Sequence, residues 1–124
     1  CLGMQLLCNF SEEGNVEGLG LINAVVKKID SQQGEYKIPH IGWNTIEILK
    51  ENKIIEKSYD EKRFYFVHSY YVQPNEKNLM IASTKYGKSF CSAFWKNNIY
   101  GVQFHPEKSH KFGINLIRNF VNLK

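Results

Sequence analysis

Gln103-Phe104-His105-Pro106-Glu107 stands near the end of the chain, and Cys1-Leu2-Gly3-Met4-Gln5 opens it. Together the two strings supply a thiol, an imidazole and a carboxylate, the set that thiol acyl-transfer chemistry uses. In an extended segment, residues two apart point to the same side, so His105 and Glu107 are placed to touch. Pro106 fixes its own φ and biases His105 away from helical geometry, which predicts an extended arrangement for the pair. For the chemistry to work, the fold must bring Cys1 and His105 together from opposite ends of the chain.

Outward from these strings, Leu2, Leu6 and Leu7 share a helical face, as expected of a short helix over 2–9 that follows a strand-to-helix turn. Residues 11–20 are rich in Gly and Glu and read as a loop. Residues 20–29 read as a β-branched strand that ends in a polar turn over 30–35. Alternation over Thr45-Ile46-Glu47-Ile48-Leu49 predicts a half-buried strand, fed by a shaped loop, Pro39-His40-Ile41-Gly42-Trp43-Asn44. Further strands are expected over 64–72, 79–83, 90–95 and 99–105, the last two joined by a tight turn at Asn97-Asn98. Phe112, Leu116, Phe120 and Leu123 recur at near-helical spacing, giving an amphipathic C-terminal helix with Ser109 as its N-cap. Adjacent strands without intervening helices read, from the pattern alone, as α+β.

The bulk properties narrow the function classes. The 124 residues make at most one domain, and 43% hydrophobic with 14% aromatic content is enough for a globular core rather than a disordered segment. No apolar run is long enough to span a membrane, and the first residues do not resemble a signal peptide. The net charge of +4 is spread among acids, as in Lys50-Glu51-Asn52-Lys53 and Asp60-Glu61-Lys62-Arg63. That reads as solvated surface, not a nucleic-acid patch. Cys1, Cys8 and Cys91 are odd in number and lack paired spacing, which argues against a disulfide framework and for a reducing cytoplasm. The four histidines and three cysteines also lack metal-ligand spacing, so neither metal nor cofactor is expected, and His110 reads as a surface residue.

The opening Cys-x-Gly and the late His-Pro-Glu resemble the class I (triad-type) glutamine amidotransferases, whose nucleophile sits in a Gly-x-Cys-x-Gly elbow. More narrowly, Lys37-Ile38-Pro39-His40-Ile41-Gly42-Trp43-Asn44 and Pro106-Glu107-Lys108-Ser109 resemble the branch of that family that serves imidazole glycerol phosphate synthases. The resemblance implies an α/β fold: the later part of a three-layer architecture with a mainly parallel central sheet and an antiparallel excursion, overriding the α+β reading. One departure is plain. The elbow's leading Gly-x is absent, so residues 1–124 are expected to be a partial domain whose first strands and Gly-rich oxyanion turn lie upstream.

The resemblance also implies roles. Cys1 would attack the side-chain amide of L-glutamine, His105 would move the proton, and Glu107 would hold the ring. The Leu2 amide would donate to the oxyanion, and Gly3 would permit close approach at the turn. Gln5 lies one helical turn after Cys1, and Gln5, Glu13, His68, Ser69 and Tyr70 would contact the amino-acid end of the substrate. An α-ammonium needs a carboxylate or amide oxygen, and an α-carboxylate needs N–H donors. His40, Trp43, Asn44 and Lys108 would face a partner, a (β/α)8-barrel synthase that consumes the ammonia. An exposed Trp beside Asn and His is an interface anchor on physical grounds, with core filling as the alternative.

Three other readings remain open at the level of sequence. One is a related amidotransferase for a surface-sugar pathway. Another is an N-terminal-nucleophile enzyme using the α-amine of Cys1 as base, which leaves His105-Pro106-Glu107 unexplained. The third is a catalytically silent fragment that only binds its partner.

Overall fold

Five consecutive buried residues, Phe90, Cys91, Ser92, Ala93 and Phe94, mark the strand around which the molecule is built. A strand buried on both faces belongs in the middle of a sheet. The computed structural model describes residues 1–58 and 60–124. Its elements are α1 (Leu2–Leu6), β1 (Cys8–Ser11), β2 (Val16–Glu17), β3 (Ile22–Lys28), β4 (His40–Ile48), β5 (Lys62–His68), β6 (Tyr70–Pro74), β7 (Met80–Tyr86), β8 (Lys88–Lys96), β9 (Ile99–Val102) and α2 (His110–Val121). Short 3-10 turns cover Lys77–Leu79 and Pro106–Lys108.

The strand order is β2-β1-β3-β6-β8-β7-β4-β5, with β9 also paired to β8. Among the described residues only β1 and β3 pair in parallel; every other recorded pairing is antiparallel. The architecture is therefore mixed α/β, with the expected antiparallel excursion supplying most of the sheet in this chain. Two apolar clusters fill it. One gathers Met4, Cys8, Ile22, Val26, Val72 and Phe94; the other gathers Ile54, Phe64, Phe66, Ile81, Phe104 and Leu116. Burying each such large side chain stabilises the fold by roughly 1.5–3 kcal/mol.

Several local expectations are corrected. The first helix stops at Leu6, and Cys8 already starts β1. Its inward residue is Met4, whereas Leu2 and Leu6 are exposed, because the Cys1 nitrogen is tied to the end of β9 and turns Met4 onto Gly101 and Phe94. Residues 11–20 are not all loop: β2 folds back on β1, and the Gly18 and Gly20 amides donate to the Asn9 and Cys8 carbonyls. His40–Asn44 is strand rather than loop, since β5 offers a partner at every position from His40↔His68 to Ile46↔Lys62.

The stretch 64–72 breaks at Ser69, because β5 pairs with β4 while β6 pairs with β3 and β8. The last strand ends at Val102, before His105. Ser109 occupies the N-cap position of α2 but makes no side-chain cap bond. Instead its Oγ donates to the His105 carbonyl at 2.6 Å and accepts from the Tyr65 N–H at 2.9 Å, so it staples the His-Pro-Glu segment to β5.

Candidate active site

Cys1 and His105 line one cleft, and a backbone anchor holds the first residue beside the end of β9. The Cys1 nitrogen lies 2.9 Å from the Gln103 carbonyl oxygen, to which it donates. This brings the first residue to within two positions of His105 along the chain that follows β9. Both residues line a single cleft of about 450 Å³, together with Leu2, Gln5, Glu13, Val67, His68, Ser69 and Tyr70.

His105 adopts an extended conformation, φ −102° and ψ 100°, as a residue before proline should. The extended arrangement expected of the whole pair does not hold, because Pro106 opens a 3-10 turn. The turn still carries Glu107 back to the ring: its Oε1 accepts from His105 Nδ1 at 2.8 Å. That bond places the proton on Nδ1 and leaves Nε2 as the basic nitrogen. Burial pushes the Glu107 carboxyl up, but its own backbone N–H, His105 and Lys108 outweigh burial and hold it below the ordinary glutamate value. The turn is held from behind by α2. A Cβ on Gly113 would lie 1.8 Å from the Pro106 carbonyl oxygen, so the helix can pack this closely only through glycine.

The other two cysteines are unsuited to nucleophilic work. Burial raises the Cys8 thiol to about 11 and the Cys91 thiol to about 12, and only a thiolate attacks efficiently. Cys1 is partly exposed.

Around the nucleophile, the Gln5 amide nitrogen donates to the Tyr70 carbonyl at 3.1 Å. Gln103 is fully buried beside it. Its amide nitrogen, in the orientation that satisfies the site, donates to the same Tyr70 carbonyl at 3.3 Å. The sequence assigns Gln103 no role despite its place in the motif, since nothing in a one-dimensional string shows which way its side chain turns. Gly3 does not line the cleft. A Cβ there would meet only Cys1 Sγ, at 3.9 Å, so close approach does not require glycine at this position.

The four residues expected to face a partner fall into two groups. Trp43 is 45% exposed, lies flat on His110 at 5.4 Å between ring centres and edge-on to Tyr65 at 6.0 Å. Lys108 Nζ sits 5.9 Å from the Tyr65 ring, so Trp43, Tyr65, Lys108 and His110 form one outward cluster. His40 is corrected: it is 3% exposed, stacked on Tyr86 at 4.0 Å and hydrogen-bonded to His68 at 2.9 Å. Asn44, four residues along the same face, bonds His40 at 3.2 Å and the Lys85 carbonyl at 3.1 Å. The reason is the alternation of β4, which sends 40 and 44 inward and 43 outward.

A second cavity, about 220 Å³, opens between α2 and the Ile54-Ile55 segment and holds neither thiol nor imidazole. Among the described residues, no group of three His, Cys, Asp or Glu side chains is arranged to hold a metal. No helix among them is long and apolar enough to cross a membrane.

Comparison with known proteins gives the family. The family model described as "Glutamine amidotransferase class-I" matches residues 1–123. The chain is 52% identical over 121 residues to imidazole glycerol phosphate synthase subunit HisH 2 of Methanococcus maripaludis, covering 98% of this chain and 59% of that protein. It is 46% identical over 124 residues to the subunit HisH of Pelagibacter ubique, covering 99% and 60%. The chain thus spans about 60% of the length of these curated relatives. A crystal structure of a Thermoplasma acidophilum protein assigned to GMP synthase shares the fold, with a TM-score of 0.61 at 23% identity over 80% of this chain and 47% of that one.

Proposed function

The chain belongs to the class-I glutamine amidotransferase family, and from that premise we propose that it carries the reacting residues of a glutaminase. The protein containing it hydrolyses L-glutamine and passes ammonia to a (β/α)8-barrel synthase partner that makes imidazole glycerol phosphate. The observation carrying this reading is the convergence of Cys1, Gln5, Glu13, His68, Tyr70 and His105 on one cleft, with Glu107 bonded behind the imidazole. Relatives named as imidazole glycerol phosphate synthase subunits support this choice of partner, and with it a place in histidine biosynthesis.

In the reaction, His105 Nε2 takes the proton of the Cys1 thiol, and the sulfur attacks the side-chain amide carbon of glutamine. The Leu2 amide, in the first turn of α1 and without an intrahelical acceptor, donates to the developing oxyanion. Such a donor is worth about 2.7–4 kcal/mol of barrier. The tetrahedral intermediate collapses with cleavage of the C–N bond, and His105 returns its proton to the leaving nitrogen, releasing ammonia and a glutamyl thioester. Water, deprotonated by His105, then opens the thioester to glutamate and restores the thiol.

Glu107 keeps the ring in the productive tautomer and stabilises the imidazolium formed in each half. Gln5 commits its amide N–H to Tyr70, which leaves its oxygen to accept from the substrate ammonium, with the Glu13 carboxylate beside the same cleft. The outward cluster of Trp43, Tyr65, Lys108 and His110 supplies an aromatic and cationic face of the kind that anchors a protein partner. Three free thiols suit a reducing cytoplasm.

The test is glutamate release by the complete protein together with its barrel partner. Cys1→Ala is expected to abolish both turnover and the acid-trappable thioester. A thioester that persists in Cys1→Ala overturns the assignment of the nucleophile.

A further inference from the structure

His40 and His68 are the two buried histidines among the described residues, 3% and 7% exposed, and the reaction above uses neither as a base. They sit opposite each other in the β4–β5 register and bond ring to ring at 2.9 Å. The direction of every bond around them follows from one atom. Tyr70 O can only accept, so His68 Nδ1, 2.8 Å away, carries the hydrogen. A neutral ring then offers Nε2 as acceptor, so His40 Nδ1 must be the donor to it. His40 Nε2 is in turn an acceptor, and the Asn44 amide nitrogen at 3.2 Å donates to it. Burial lowers both rings to about 4, which keeps them neutral at pH 7 as this directionality requires.

The chain of bonds therefore runs one way, from Asn44 through His40 and His68 to the Tyr70 carbonyl. Its two ends differ. Asn44 is partly exposed and also holds the Lys85 carbonyl, whereas Tyr70 O lies at the cleft, where it also accepts from Gln5. We infer that Asn44 and His40 are positioning residues for the glutamine-binding cleft. Their relay fixes the Tyr70 carbonyl and, through it, the Gln5 amide that meets the substrate's amino-acid end. This rests on the glutaminase reading, because it gives that cleft its ligand. Neither Asn44 nor His40 lines the cleft, so both act through His68.

Two measurements on the complete protein test the relay. First, glutaminase kinetics are compared for His40→Phe, which keeps the ring stack on Tyr86 and Phe66 but has no nitrogen, and for His40→Gln, whose amide can both accept and donate. His40→Phe is expected to raise the KM for glutamine about tenfold with kcat changed less than about twofold, the signature of lost ground-state positioning. His40→Gln is expected to recover most of that loss, and Asn44→Leu to show a smaller rise of the same kind. An unchanged KM in a folded His40→Phe variant overturns the proposal, while an active wild type leaves the glutaminase reading standing.

Second, 15N-detected imidazole spectra of the wild type at pH 7 are expected to show Nδ1–H tautomers at both His40 and His68. This readout needs neither turnover nor a folded variant. An Nε2–H tautomer at His68 breaks the relay and overturns the proposal.

Discussion

Glu107 Oε1 lies 2.8 Å from His105 Nδ1, with the carboxylate side chain 60% exposed and the imidazole only 22% exposed. So exposed a hydrogen bond contributes little to stability, yet its orientation fixes which ring nitrogen faces the cleft. Glu107→Gln should therefore leave thermal stability within about 0.5 kcal/mol while lowering kcat by roughly 10²–10⁴, the penalty for losing the tautomer-setting charge. Steady-state glutaminase kinetics beside a melting curve separate the two. A variant of normal kcat removes Glu107 from the catalytic set.

The three thiols should react in an order set by burial. Cys8 and Cys91, raised to about 11 and about 12, are almost wholly protonated at neutral pH, whereas Cys1 opens onto the cleft. Brief iodoacetamide treatment of the native protein, followed by peptide mass spectrometry, should label Cys1 first, and loss of glutaminase activity should track that label alone. Equal labelling of Cys8 contradicts the assignment.

Gln103 sits beneath the site with its amide nitrogen donating to Tyr70 O. Gln103→Leu removes one of the donors to Tyr70 O from a fully buried position, and the lost hydrogen bond should cost about 0.5–1.5 kcal/mol. A drop in the urea midpoint at constant slope, together with reduced kcat, is the expected pair of results. Gln103→Glu should not restore activity, because a carboxylate cannot donate to Tyr70 O.

What could be read in the sequence follows from range along the chain. The His105 and Glu107 contact spans two residues and was legible, although the 3-10 turn that makes it was not. The strands expected over 20–29 and 90–95 announced themselves through β-branched and apolar runs and form over 22–28 and 88–96. The pairing of His40 with His68 was hidden, because it depends on the register of two strands that no local pattern in the sequence aligns. Resemblance directed His40 outward, whereas the alternation of β4 directs it inward. The signal existed in the spacing of His40 and Asn44, which share a face of an extended strand. Ser109 looked like a cap by residue type, but its hydroxyl is committed to the His105 carbonyl and the Tyr65 amide rather than to α2.

Gly113 tests how tightly α2 holds the His-Pro-Glu turn. In an ordinary helix interior, Gly→Ala stabilises by about 0.5–1 kcal/mol. Here the added Cβ would lie 1.8 Å from the Pro106 carbonyl oxygen, a backbone atom that cannot swing aside. Overpacking of about 1–3 kcal/mol should outweigh the propensity gain, so Gly113→Ala is expected to be destabilising in urea denaturation and to lower kcat by displacing His105. A stabilised variant with normal kcat would mean that the helix is free to shift.

The buried histidine pair should set the acid limb of stability. Both rings have their pKa lowered by burial from the ordinary 6.5 to about 4. Between these values the unfolded chain binds protons that the folded chain refuses, so stability rises with pH. The contribution is fully present above about 6.5 and is lost as pH falls toward 4. The slope in that window should be about 1.4 kcal/mol per pH unit if one ring charges on unfolding and about 2.7 if both do. Urea titrations stepped from neutral pH down through this window measure it directly. The same series on His40→Phe should show a shallower dependence, since one of the two proton acceptors is gone. An unaltered slope in that variant would place the acid sensitivity elsewhere, in the carboxylates rather than in the His40 and His68 pair.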